Sequence, residues 1–180
     1  MAKVGMIDEK IEVPAGITVT YKDGTLTVKG KAGTLSRKMM HPRVKMEVSG
    51  KEIRITCDEP KRSEAAVAGT MQAHVRNMLH GALQPFEYKM KIVYSHFPIK
   101  TAIKGSVFHV ENFLGEKSSR RAKIVGETKV TVKGDEVVLT GPNVEAVSQT
   151  AANIEKCTHI KNRDLRIFQD GVFITVKGSR

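Results

Sequence analysis

The residues best equipped for chemistry in this sequence are cations, and they gather in three clusters. Lys29, Lys31, Arg37 and Lys38 flank a glycine loop, Gly30-Lys31-Ala32-Gly33-Thr34. Lys117, Arg120, Arg121 and Lys123 follow a second glycine, Gly115. Lys156, Lys161, Arg163 and Arg166 share a short stretch whose only acid is Asp164, and Lys177 and Arg180 follow. A single basic run is usually solvated surface. Three runs in one chain of net charge +11 point instead to a polyanionic partner whose phosphates they neutralise. The excess is spread evenly: residues 1–86 hold 14 basic and 9 acidic residues, and residues 87–180 hold 16 and 10.

No other constellation supports catalysis. The Gly30–Thr34 loop has glycine, lysine and hydroxyl, but not in phosphate-loop order, and a strand pattern follows it where a helix is needed. Its glycines serve either plain turn geometry or the approach of backbone amides to phosphates. His41, His74, His80, His96, His109 and His159 form no zinc spacing with cysteine or carboxylate, so no metal site is expected. His74 and His80 lie six apart on one helix pattern and do not share a face. Ser36, Ser63 and Ser148 lack a nucleophile-elbow context, and no carboxylate pair stands out for acid–base work. The chain therefore reads as a non-enzyme without a cofactor. Cys57 and Cys157, far apart in sequence, read as reduced core thiols.

Repeated elements must position the cations. Val48-Ser49-Gly50-Lys51-Glu52-Ile53-Arg54-Ile55-Thr56 aligns without a gap on Val132-Lys133-Gly134-Asp135-Glu136-Val137-Val138-Leu139-Thr140. Each segment reads as a hairpin whose second strand alternates apolar residues. A helix pattern follows each. The first opens at Asp58, Glu59 and Pro60, and carries Val67, Met71, Val75, Met78 and Leu79 at three- and four-residue intervals to Gly81. The second opens near Pro142 and Asn143, with Val144, Val147, Ala151 and Ile154 on one face. Upstream, Leu26-Thr27-Val28 matches Phe108-His109-Val110, each leading to a glycine loop with cations after it.

The fold class expected is α+β: two tandem copies of a small antiparallel β-sheet packed with one α-helix, over residues 1–84 and 85–180. Pro85 marks a short linker. The second copy is expected to end in a terminal hairpin, Leu165–Phe168 and Val172–Val176 around a Gln169-Asp170-Gly171 turn, related at most to the opening segment at Ile11–Val13. Phe97, Phe108, Phe168 and Phe173 alternate with apolar residues as core strand positions do. Without base-stacking aromatics or an arginine-rich helix for a DNA groove, the expected reader is one of backbone and shape, suited to folded RNA. No run approaches eighteen apolar residues, and Met1–Lys10 mixes charges where a signal peptide is apolar, so no membrane partner and a cytoplasmic location are expected.

Three stretches carry a resemblance: Tyr88-Lys89-Met90-Lys91 with Val93 to Ile99, Asn112-Phe113-Leu114-Gly115-Glu116-Lys117, and Arg166-Ile167-Phe168-Gln169-Asp170-Gly171-Val172-Phe173. Over nearly its whole length the chain resembles the large-subunit ribosomal protein six family, in its archaeal and eukaryotic branch, and more closely its archaeal members. The resemblance implies a non-enzymatic two-copy fold. It also implies binding of large-subunit ribosomal RNA near the sarcin-ricin loop and stalk base, beside neighbouring ribosomal proteins and the docking region of translation factors. In the family the carboxy-terminal copy and tail carry much of that contact, and the resemblance implies the same here. On this chain the expected RNA-binding residues are Lys31, Arg37, Lys38, Lys117, Arg120, Arg121, Lys156, Lys161, Arg163, Arg166 and Lys177. Gly33, Gly115, Asp170 and Gly171 are expected to shape turns. The glycine loop departs from the family pattern, with Lys31 where a proline is often found, which weakens the expectation for that loop. The alternative reading is a general structured-RNA-binding or RNA-remodelling protein outside the ribosome.

Overall fold

Period-two apolar runs bounded by turn residues, twice followed by a helical pattern, give thirteen strands and two helices in the computed structural model, which describes residues 5–95 and 97–178. His96 and Arg180 lie outside the described residues. The chain divides into two compact units, Met1–Pro85 and Phe86–Arg180.

In unit 1, β1 (Met6–Glu12), β6 (Glu52–Asp58) and β5 (Lys45–Ser49) form one antiparallel sheet. Strands β2 (Thr18–Lys22), β3 (Thr25–Lys29) and β4 (Thr34–Lys38) form a second. Alternation puts Ile53, Ile55 and Cys57 of β6 and Leu26 and Val28 of β3 on buried faces. Helix α1 (Arg62–Leu83) covers them with Ala68, Met71, Val75, Met78, Leu79 and Ala82, the one-sided stripe that its three- and four-residue spacing dictates. Each large side chain so buried contributes about 1.5–3 kcal/mol of transfer free energy. The helix starts later than its sequence signals suggest. Asp58 still pairs with Met6 in the β1–β6 ladder, so the chain turns through Glu59, at φ +42°, before helical bonding can begin. The Glu64 carboxylate then reaches back to accept from the Lys61 amide at 2.8 Å.

Unit 2 repeats the plan. Strands β8 (Lys100–Lys104), β9 (Val107–Glu111) and β10 (Arg120–Lys123) form one sheet, and β11 (Lys129–Lys133) pairs with β12 (Glu136–Gly141), which pairs with β7 (Phe86–Val93). Helix α2 (Val144–Cys157), capped by the Asn143 side chain accepting from the Glu145 amide, buries Ala146, Val147, Ala151 and Ile154. The opening strand of unit 1 is matched by β7, since each pairs with the second strand of its hairpin.

The expected terminal hairpin does not form. Residues 164–168 make a turn held by the Ile167 and Phe168 amides donating to the Asp164 carbonyl, and β13 (Gly171–Val176) pairs with β7, Gly171 opposite Val93. The other edge of β13 is closed by α2. The Val172 amide donates to Thr158 Oγ1 at 3.1 Å and the Ile174 amide to Glu155 Oε1 at 3.3 Å. With its outer donors met by side chains, the strand needs no hairpin partner. Gly171 is accordingly a strand residue and not a turn former. A Cβ there would come within 2.9 Å of the Phe173 ring.

Candidate nucleic-acid interface

The first glycine loop is folded inward. Gly30 passes so close to the end of α1 that a Cβ would sit 2.4 Å from the Ala82 carbonyl oxygen. That carbonyl accepts from the Ala32 amide at 3.0 Å, and the Gly30 amide donates to Gly33 at 3.0 Å. Two amides that could have approached a phosphate are thus committed within the protein. Glycine at 30 serves close packing on a helix. Around it Lys29, Lys31 and Lys38 are exposed and Arg37 is half-buried.

The second loop is built differently. Phe113 is fully buried, and the backbone around it takes left-handed conformations at Asn112 (φ +59°), Leu114 (φ +51°) and Gly115 (φ +77°). A leucine held there is strained and must be over-determined by its surroundings. Arg120 supplies part of that determination. Its guanidinium grips Glu116 through two bonds of 2.9 and 2.6 Å and lies 4.2 Å from the centre of the Phe113 ring. It also donates to the carbonyls of Cys157 at 3.0 Å and His159 at 2.9 Å. A cation on those carbonyls is favoured by the helix dipole and satisfies acceptors that α2 leaves open at its end. The Arg120 hydrogen bond holds the Glu116 carboxyl below the usual glutamate range, and the same bond raises Arg120 further. Arg120 therefore ties strand, loop and helix end together, and only about a fifth of its side chain is exposed.

The exposed cations of the second and third clusters all lie in unit 2, and three of them share a site. Arg121 and Lys123 alternate outward on β10, and with Lys156 and Asn153 they line an open hollow of about 330 Å³. Lys117, Lys161, Arg163, Arg166 and Lys177 are exposed as well. Arg163 lies over the Phe168 ring at 4.8 Å, and Arg166 approaches Asp164 only at 3.8 Å. Cys157, beside the hollow, has its thiol pushed up to about 11 by burial, against the opposing pull of Arg120. Both cysteines are free, Cys57 in the first core. Among the described residues no group of His, Cys, Asp and Glu could hold a metal ion, and no helix is long and apolar enough to cross a membrane.

Not every phenylalanine is a core residue. Phe108 is fully buried, but Phe97 and Phe173 are 47% and 43% exposed. Phe173 alternates with buried Val172, so it stands on the face of β13 turned away from the core. With Val93, Ile160, Leu165, Phe168 and Asp170 it lines a groove of about 760 Å³. The sequence could not reveal this groove, because its walls come from β7, the end of α2 and the turn before β13.

A model of the family described as ribosomal protein L6 matches residues 13–84 and 97–171, one match in each unit. The chain belongs to the ribosomal protein L6 family. Among similar proteins, the large ribosomal subunit protein uL6 of Methanocella arvoryzae is 47% identical over 93% of this chain and 96% of its own length. Its namesake in Methanobrevibacter smithii is 44% identical over 98% of this chain and 99% of its own, and that of Haloarcula marismortui 40% over 95% and 96%. The family is structural and non-enzymatic.

Proposed function

We propose that this protein is a cytoplasmic structural constituent of the large ribosomal subunit that binds large-subunit ribosomal RNA near the sarcin-ricin loop and the stalk base. Translation factors dock beside it there, and neighbouring ribosomal proteins pack against it. The observation that supports this most is the convergence of Arg121, Lys123 and Lys156 on one hollow of unit 2, a unit whose tail also exposes Lys161, Arg163, Arg166 and Lys177. Such a surface neutralises phosphates where RNA helices converge, releases counterions and fixes one arrangement of the RNA. Lys31, Lys38 and Lys117 add further phosphate contacts, with Arg37 beside them. Arg120 is proposed to act from within, holding the Gly115 loop and the tail in place for the others.

The test is a salt titration of binding to a large-subunit RNA fragment containing the sarcin-ricin region, beside an unrelated structured RNA of equal length. With roughly six to ten phosphates contacted, affinity falls by about three to five orders of magnitude between 50 and 200 mM salt. The wild type prefers the ribosomal fragment, and Arg163→Ala with Arg166→Ala removes most of that preference. Equal binding to both RNAs, indifferent to the two arginines, would assign the protein to general RNA binding and free the tail of the role.

A further inference from the structure

The groove in unit 2 combines three features that the neutralisation of phosphates leaves unused. Its walls are apolar and partly aromatic: Val93, Leu165, Phe168 and Phe173. Its lining includes Asp170, only 4% exposed, whose carboxylate no hydrogen bond or ion pair holds among the described residues. Its surroundings are cationic, with Lys156 in the lining, Arg163 on the Phe168 ring, and Lys161 and Arg166 exposed in the segment between α2 and β13. The Asp170 oxygens still meet water in the groove, so an occupant that displaced this water without bringing a donor would leave a buried, unpaired carboxylate, which is costly.

These features narrow the occupant. An apolar side chain from another protein would cover the walls but leave Asp170 buried and unpaired. An acidic peptide would suit the cations but press like charge on Asp170 and Glu155. A nucleotide offers both, since it has a flat apolar face, donors on the base edge and a phosphate on either side. We infer that this groove receives an unstacked guanine of the bound RNA, its face against Phe168 and Phe173 and its base edge on Asp170, with the neighbouring phosphates on Lys156, Lys161, Arg163 and Arg166. Guanine is the base whose Watson–Crick edge places two donors, N1–H and the 2-amino group, side by side for the two oxygens of one carboxylate. The inference rests on the RNA-binding reading above. It makes Asp170, not a cation, the residue that distinguishes one base from another.

Three single-stranded heptamers test it on the full chain: uridines flanking a central guanosine, inosine or adenosine. Inosine keeps N1–H and lacks the 2-amino group. The wild type is expected to bind the guanosine heptamer at least tenfold more tightly than the adenosine one, with inosine between, and ring resonances of Phe168 and Phe173 shift on binding. Asp170→Asn brings guanosine and adenosine within twofold. Lys161→Ala weakens all three equally and keeps the preference. Equal wild-type affinities, or a guanosine preference unchanged in Asp170→Asn, would overturn the base pocket. So would shifts confined to the lysines, or no binding of any heptamer. Specific, salt-dependent binding of the large RNA fragment would survive each of those results, so the two readings fail separately. The wild-type comparison also stands if Asp170→Asn does not fold.

Discussion

Two arginine–carboxylate forks, one in each unit, have nearly the same bond lengths and very different surroundings. In unit 1 Arg54 grips Asp8 at 2.7 and 2.6 Å across the β1–β6 pair, open to water. In unit 2 Arg120 grips Glu116, and the same guanidinium stacks on buried Phe113 and takes two carbonyls at the end of α2. The first fork only links the edge strand β1 to the central strand β6 on their water-facing side. The second joins three elements. The two units share strands, hairpin and helix, and they differ where unit 2 adds β13, its arginine tie and the turn with its cations. The proposed recognition surface thus lies mainly where the second copy departs from the first.

The strongest way to break this comparison is to remove the anchor beneath the second fork. Phe113→Ala should cost about 3–5 kcal/mol, as expected for emptying a fully buried aromatic site. Hydrogen exchange should then show lost protection at β9, β10 and the end of α2. Protection retained there would mean that Arg120 holds the loop without the ring. Next come the cations. Arg121→Ala with Lys156→Ala should weaken RNA binding about tenfold and flatten the salt slope by roughly two, one for each phosphate released. Lys31→Ala with Lys38→Ala in unit 1 should cost less than about threefold, and equal losses from the two pairs would erase the functional asymmetry between the units.

Glu116→Gln sharpens the comparison by the sign of its effect. If Arg120 touched phosphate directly, removing the adjacent anion would strengthen RNA binding. As an internal tie it weakens binding, and it lowers stability by about 1 kcal/mol once solvent screening of the partly exposed pair is allowed for. Asp8→Asn should leave the melting temperature unchanged. The pH dependence has a definite direction. Because the folded Glu116 carboxyl lies below its ordinary value, its contribution is complete above the usual glutamate range near about 4.3 and disappears as pH falls through the lower folded value. Acid titration of wild type and Glu116→Gln should therefore converge at low pH. The smallest effect concerns Cys157. With its thiol raised to about 11, alkylation by iodoacetamide at pH 8 should be much slower than for a free cysteine, and a rate equal to that of a model thiol would show the site to be open.

Much of this was legible beforehand because periodicity reports burial. The stripe of Met71, Val75, Met78 and Leu79, and the alternation of Ile53 with Ile55, are local patterns that only one packing satisfies. The gapless match of the two hairpins gave the duplication itself. What escaped depended on partners distant in sequence. Val172–Val176 is unmistakably a strand, but nothing local says that it joins β7 and not Leu165–Phe168. Phe173 resembles its buried neighbours in composition and differs only in which face of β13 it occupies. Arg120 reads like Arg121 until Phe113, Glu116 and the end of α2 are seen around it. The inward fold of the Gly30 loop likewise depends on Ala82, half a unit away. The spacing of Glu116 and Arg120 was the one available hint of an ion pair, and in a loop it has no helical face to justify it.

The pairing of β13 with β7 also has a consequence in time. Unit 1 has its sheets and helix in hand once α1 has been synthesised. The sheet of unit 2 begins with its first strand and is closed by its last, Gly171 meeting Val93 from the opposite end of the unit. Closing so long a loop is slow, and on a growing chain it comes at the end. A chain halted before β13 would carry the cations of β10 and α2 but would lack the strand that completes the groove, so the base-reading part of the surface would exist only once β13 has been made.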